Sequence, residues 1–369
     1  MPVSILDNMG VFRKIDKSSM LQFCVDNAKH YRESVKNTEK IKLTFSRPEN
    51  VIVAGMGGSG IGGELLKDWA RSKAPFPIEV SKDYQLPAYA GKNTLVVLVS
   101  YSGETEESLS SFLDAVNRKC MVYCITSGGL LMKFAKKLSV PYHQIPSGMP
   151  PRAALPHLFV PLLKIMEKTG TMSKVSEDLA EAIVLLEKVS SEYAPEKTLR
   201  ENFAKTLAMN LNGSAPAIYG FGVYRGVAMR WKQQFNENSK VPSKWEYFSE
   251  LDHNEIVGWE SSNQLAKDYA AVFIRDKAEP VEIRSRIETT QALMHPALSK
   301  MFEVWTQGKS DLAKMLSTIC LGDFTSVYLA VLRKVDPTPV NTIMQLKAKI
   351  ERSGIKERTI RELEKITAN

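Results

Sequence analysis

The stretch Val51-Ile52-Val53-Ala54-Gly55-Met56-Gly57-Gly58-Ser59-Gly60-Ile61-Gly62-Gly63 decides the reading of the chain. An apolar run ends in glycines, and beyond them Ile61, Leu65, Leu66 and Trp69 share one face at a period of 3.6. This is strand, tight turn, helix. Glycine lets the backbone bend sharply and lets a ligand approach. The helix start that follows presents N–H groups and a partial positive charge to an anion such as phosphate. Gly55-x-Gly57-x-x-Gly60 also satisfies the dinucleotide fingerprint.

The same pattern extends outward on both sides. Strands are expected at Ile78–Val80, Leu95–Ser100, Met121–Thr126 and Tyr142–Ile145, with helices between most of them. The clearest helix starts at Thr105, where Leu109, Phe112, Leu113 and Val116 fall at i, i+3, i+4 and i+7. Alternating strands and helices imply a parallel sheet covered on both faces. A second such unit starts at Ala217-Ile218-Tyr219-Gly220-Phe221-Gly222, with strands expected at Trp245–Phe248, Ala270–Ile274, Val281–Ile283 and Met301–Trp305. A long helix should run from Lys309 to Arg333 and stop before Asp336-Pro337-Thr338-Pro339, with a last helix over Val340–Ser353. The expected organisation is a helical segment over 1–45, a first α/β subdomain over 46–168, a helical connector over 169–211 and a second subdomain with C-terminal helices over 212–369. Both subdomains are read as doubly wound, with mainly parallel sheets flanked by helices.

Composition narrows the functional classes. The 369 residues are 44% hydrophobic and 24% charged, the range of an ordinary globular chain. No apolar run nears the ~18 residues of a bilayer span. Met1–Arg13 shows no basic stretch leading into an apolar core, so no leader and a cytoplasmic location are expected. The net charge of +8 owes part of its excess to Lys347, Lys349, Arg352, Lys356, Arg358 and Arg361, which read as a solvated helical face. No dense basic patch or nucleic-acid module accompanies it, so no nucleic-acid partner is expected. The four cysteines lack C-x-x-C spacing and the five histidines lack H-E-x-x-H spacing, so no metal is expected.

The second informative stretch is Ser100-Tyr101-Ser102-Gly103-Glu104-Thr105. Ser102 or Thr105 could merely cap the following helix. Three hydroxyls beside a second glycine turn suit a phosphate better, because hydroxyls and turn N–H groups donate together. A dinucleotide fits less well. The acidic residue due about 20 positions after the glycines has only Glu79, inside a strand, and Asp83, past its end.

Ser59 in its glycine turn, followed by Ser100-x-Ser102-Gly103-x-Thr105, resembles the sugar isomerase (SIS) domain, which binds phosphosugars through such residues. Gly148-Met149-Pro150-Pro151-Arg152, Gln234-Phe235-Asn236-Glu237-Asn238-Ser239-Lys240, Glu250-Leu251-Asp252-His253-Asn254-Glu255 and Leu321-Gly322-Asp323-Phe324 are similar to segments of the bifunctional phosphoglucose/phosphomannose isomerases. The resemblance spans nearly the whole chain. It implies two SIS subdomains, an aldose–ketose isomerase working through a cis-enediol, no cofactor, and a homodimer with a shared active site. It makes Glu237 the base, His253 (from the neighbouring subunit) the ring-opening group, Arg152 the enediolate stabiliser and Lys347 an aid to ring opening. Gly57, Gly58, Ser59, Ser100, Ser102 and Thr105 would bind the phosphate, and Thr338 would lie near the C1–C2 edge. A non-catalytic phosphosugar sensor of the SIS class is the alternative.

Overall fold

The structure, a computed structural model, describes residues 4–368 other than Thr44, Ser46, Thr171, 261–263 and Ser299. The first three residues of the Met1–Arg13 stretch and the boundary placed at residue 46 lie outside that set. By its internal contacts the chain divides into two units: Lys29–Val175 with Val340–Asn369, and Met1–Ala28 with Ser176–Pro339.

The first of these units is built on β1 (Asn50–Ala54), β2 (Ile78–Ser81), β3 (Thr94–Val99), β4 (Met121–Thr126) and β5 (Tyr142–Gln144), all parallel, in the order β2-β1-β3-β4-β5. Apolar β1 and β3 are buried along nearly their whole length, as expected of strands covered on both sides. Alternate side chains point to opposite faces. Ile52, Val96, Leu98 and Val122 meet Leu109, Phe112, Leu131 and Phe134 from helices Glu106–Asn117 and Gly129–Lys137. On the other face, helix Gly57–Ala70 comes so close that a Cβ on Gly63 would lie 2.9 Å from Val53 Cγ1. Cys124 belongs to the core, whereas Cys120 is half-buried at its rim.

The chain end contributes a helix that the sequence reading passed over. Beyond helix Asn341–Ile350, residues Ile355–Ala368 form another helix. Leu363, fully buried, enters the first sheet's core, with Ile360 and Ile366 packed against it. Of the C-terminal helices, grouped above with the second sheet, Ile355–Ala368 thus shares the core of the first, while Asn341–Ile350 belongs to the same unit with none of its residues buried. Leu363→Ala should lower the unfolding free energy by about 2–3 kcal/mol, the cost of a cavity at a helix that can partly relax. Denaturant unfolding with an unchanged midpoint would show that this helix adds nothing to the core.

The other unit holds β6 (Ala215–Phe221), β7 (Lys244–Phe248), β8 (Tyr269–Arg275) and β9 (Met301–Trp305), parallel in the order β7-β6-β8-β9. The first four strands of each sheet stand second-first-third-fourth, so the plan repeats. Val281–Ile283 is not a strand. It is the opening of helix Val281–Met294, which buries Ile287, Thr290 and Met294 while Val281 is 72% exposed. Three apolar residues are too few for period to separate strand from helix.

Helix Asp311–Leu332 falls close to the expected Lys309–Arg333. By length and composition alone it could cross a membrane, yet most of it is buried inside the protein. Apolar on all sides, it is the central core helix of its unit, flanked by helices Met20–Val25, Phe203–Leu211 and Arg225–Glu237.

Candidate active site

In β2-β1-β3-β4-β5 the strand order reverses between β1 and β3. Ligands of open parallel sheets bind at the carboxyl ends of the strands at such a point. Both sequence-derived turns lie there. After β1, Gly57 takes a φ of +49° and opens helix Gly57–Ala70, whose preceding residue, Met56, supplies no side-chain cap. At Gly58 a Cβ would stand 2.9 Å from the backbone nitrogen of Arg152. Only a residue without a side chain lets the Pro150-Pro151-Arg152 segment rest on this turn. That contact brings Arg152, 3% exposed, to the glycine turn.

The hydroxyls divide into two kinds. Ser100, buried at the end of β3, accepts from Gly103 N at 3.2 Å and donates to Thr105 Oγ1 at 3.2 Å, so its hydroxyl is spent within the turn. Thr105 occupies the N-cap of helix Glu106–Asn117 but makes no capping bond; its hydroxyl oxygen accepts from Ser100 instead. Ser102 is exposed and accepts from Glu104 N at 3.2 Å. Ser59 accepts from Tyr101 N at 3.0 Å, tying the two turns together, and keeps a proton to donate.

Three supports escaped the sequence reading. Gly103, at a φ of +69°, sits under a third turn: a Cβ there would fall 1.9 Å from Gly128 O. That turn follows β4, where Ser127 Oγ donates to Tyr101 O at 2.7 Å and Leu130 N donates to Glu104 Oε1 at 2.9 Å. Tyr101 reaches the proline segment as well, accepting from Met149 N at 2.7 Å, and burial pushes its phenol above the usual range. Thr126-Ser127-Gly128-Gly129 repeats the strand–hydroxyl–glycine–helix signal of β1 and β3 and was legible for that reason. Lys347 belongs to this unit by contact and lies exposed on helix Asn341–Ile350.

Glu237, His253 and Thr338 belong to the other unit. Glu237 is half-buried as the last residue of helix Arg225–Glu237. The Leu321-Gly322-Asp323-Phe324 motif holds that helix. A Cβ on Gly322 would meet Trp231 Nε1 at 2.3 Å, so the two helices touch there through glycine. Asp323 accepts from Arg230 at 2.7 Å and from Gln234 at 2.9 Å. Burial raises the Asp323 pKa, against the pull of Arg230 and Gln234. Asn238 donates to Ser326 Oγ at 2.9 Å and Ser239 to Ser326 O at 2.6 Å. Lys240 donates to Glu237 O and, at 3.2 Å, to Pro337 O, which joins the end of the Glu237 helix to the Thr338 loop. That loop is fixed in turn by Thr338 N on Asp336 Oδ1 at 3.0 Å.

His253 closes the short turn Glu250–His253 and is exposed. Its neighbour Asp252 anchors the turn to helix Val281–Met294, through Arg286 at 2.9 Å and Thr290 at 2.8 Å.

Glycine and hydroxyl turns at the switch point of a parallel sheet, with the sheet plan repeated, define a two-sheet protein of the SIS class. Residues 44–130 match the SIS domain, and residues 200–350 match the bacterial phospho-glucose isomerase C-terminal SIS domain. The "Bifunctional phosphoglucose/phosphomannose isomerase" of Caldicellulosiruptor bescii is 41% identical over 82% of this chain and 89% of its own length. That of Thermoplasma acidophilum is 36% identical over 83% and 90%. A glucose-6-phosphate isomerase like protein of Thermus thermophilus shares the fold, with a TM-score of 0.60 at 17% identity, covering 92% of this chain and 98% of that one. The chain belongs to the bifunctional phosphoglucose/phosphomannose isomerase family.

Proposed function

We propose that this chain is an aldose–ketose isomerase that interconverts glucose 6-phosphate, and also mannose 6-phosphate, with fructose 6-phosphate through a cis-enediol, without metal chemistry. The observation that carries this reading is the pair of tied turns at the switch point, where Ser59, Ser102 and Thr105 retain protons to donate and Arg152 backs onto Gly58. Gly57 and Gly58 add helix N-terminal N–H groups, and Ser100 positions the others. The relatives support the enzyme over a sensing protein.

In this reading Glu237 takes the proton from C2 and returns it at C1, as a carboxylate over the enediol face can. Arg152 stabilises the enediolate oxygens without offering an acidic proton. His253, with Lys347, opens the sugar ring, since an imidazole exchanges protons near neutrality. Thr338 lies at the C1–C2 edge. The exposed His253 on an anchored turn fits donation to a second copy, hence a homodimer with shared sites in the cytoplasm. Glucose and mannose 6-phosphates give one enediol skeleton once rotation about C2–C3 is tolerated, which accounts for dual specificity.

The test is a coupled assay from fructose 6-phosphate with chelator present and no cofactor added. Turnover to both aldoses is expected; absence of turnover contradicts the reading. Ser102→Ala combined with Thr105→Ala should weaken 6-phosphosugar binding by roughly 100-fold or more, because each hydrogen bond to a charged group contributes about 1.5 kcal/mol or more. Unchanged binding by calorimetry would move the phosphate elsewhere.

A further inference from the structure

Within the first sheet's unit, helix Asn27–Thr38 carries His30 and Glu33 at i and i+3, so both lie on one face. The third residue of helix Leu155–Lys168 is His157. One donor atom from each of these three side chains lies within 4.8 Å of the other two. His30 Nδ1 is 3.5 Å from Glu33 Oε2, and the two imidazole rings meet edge to face with centroids 5.6 Å apart. His143 is close enough to act on the same imidazole of His157. Three of the chain's five histidines therefore gather here.

We propose that His30, Glu33 and His157 form a binding site for one divalent transition cation of the zinc class. Two imidazole nitrogens and one carboxylate oxygen suit zinc, cobalt or nickel, whereas magnesium and calcium favour all-oxygen sites. Bonds of about 2.0–2.1 Å place tetrahedral ligand atoms about 3.3 Å apart, so side-chain rotations on the order of 1 Å complete the site. Exposure rises from His157, at 2%, to the side chains of His30, at 16%, and Glu33, at 45%. The fourth position thus opens toward water. Bound metal would clip the two helices together, and the second of them starts three residues after Arg152. Linear spacing hid the site: the His30-x-x-Glu33 pair has no third ligand until the fold supplies His157. The cation takes no part in the isomerisation described above, and this inference stands independently of it.

The test uses the full chain, stripped with chelator and titrated with Zn²⁺ against a chromophoric competitor. One Zn²⁺ per chain at micromolar affinity is expected, with a rise in Tm, and Co²⁺ should give a visible absorption band of tetrahedral type. His157 is buried and its replacement could unfold the chain, so the two less buried ligands carry the test. His30→Gln and Glu33→Gln should each weaken Zn²⁺ binding by about tenfold or more, while His295→Gln, at an exposed histidine elsewhere, should leave it unchanged. No stoichiometric binding at micromolar Zn²⁺, or parental affinity in either His30→Gln or Glu33→Gln, overturns the proposal.

Discussion

Glu237→Gln should lower kcat by roughly 100- to 10,000-fold while leaving 6-phosphosugar binding little changed, because a positioned general base contributes about that factor. The amide keeps the size and polarity of the carboxylate but cannot accept a proton from carbon. The fold should survive the change, since the anchors of this helix end come from other groups: Gln234 and Arg230 on Asp323, Asn238 and Ser239 on Ser326, and the Glu237 backbone oxygen under Lys240. Steady-state kinetics beside calorimetric binding separates the two effects. Near-parental kcat would remove Glu237 from the chemistry, whereas lost binding with lost kcat would make it a structural residue.

Asp323→Ala should lower the unfolding free energy by about 3–5 kcal/mol, the usual cost of breaking a buried ion pair by deleting one partner. The pair is well enclosed, with Arg230 2% and Asp323 14% exposed at the side chain. Burial opposes the charge on Asp323, and Arg230 and Gln234 favour it. The pair as a whole therefore adds little stability, yet its halves cannot be separated cheaply. Removing the carboxylate leaves a guanidinium buried inside the unit. The same cut removes two of the anchors of the helix that ends in Glu237, so kcat should fall in Asp323→Ala even where the protein remains folded. Denaturant unfolding within about 1 kcal/mol of the parent would contradict the pairing.

Where a residue's role is local, the sequence was an adequate guide. The glycine turn after Val51–Ala54 and the helix from Thr105 are written in short-range spacing, and both occur as read. Val281–Ile283 failed because burial, not period, decides a three-residue run, and here Ile287 and Met294 decide it. Helix Ile355–Ala368 was missed although Thr359, Leu363 and Ile366 carry its period, since charged residues between them mask the stripe. The split of labour among hydroxyls, Ser100 holding and Thr105 offering, depends on directions that no spacing encodes. The same holds for Lys240, whose bond to Pro337 O spans 97 positions, and for the His30–His157 contact between helices far apart in the chain.

The most direct measurement is a crystal structure of the protein with a 6-phospho sugar acid that mimics the enediolate. The account expects the phosphate among Ser59, Ser102, Thr105 and the Gly57–Gly58 amides, with a Glu237 carboxylate over C1 and C2. A ligand seated elsewhere, or a Glu237 that reaches it from neither chain of a pair, would contradict the account.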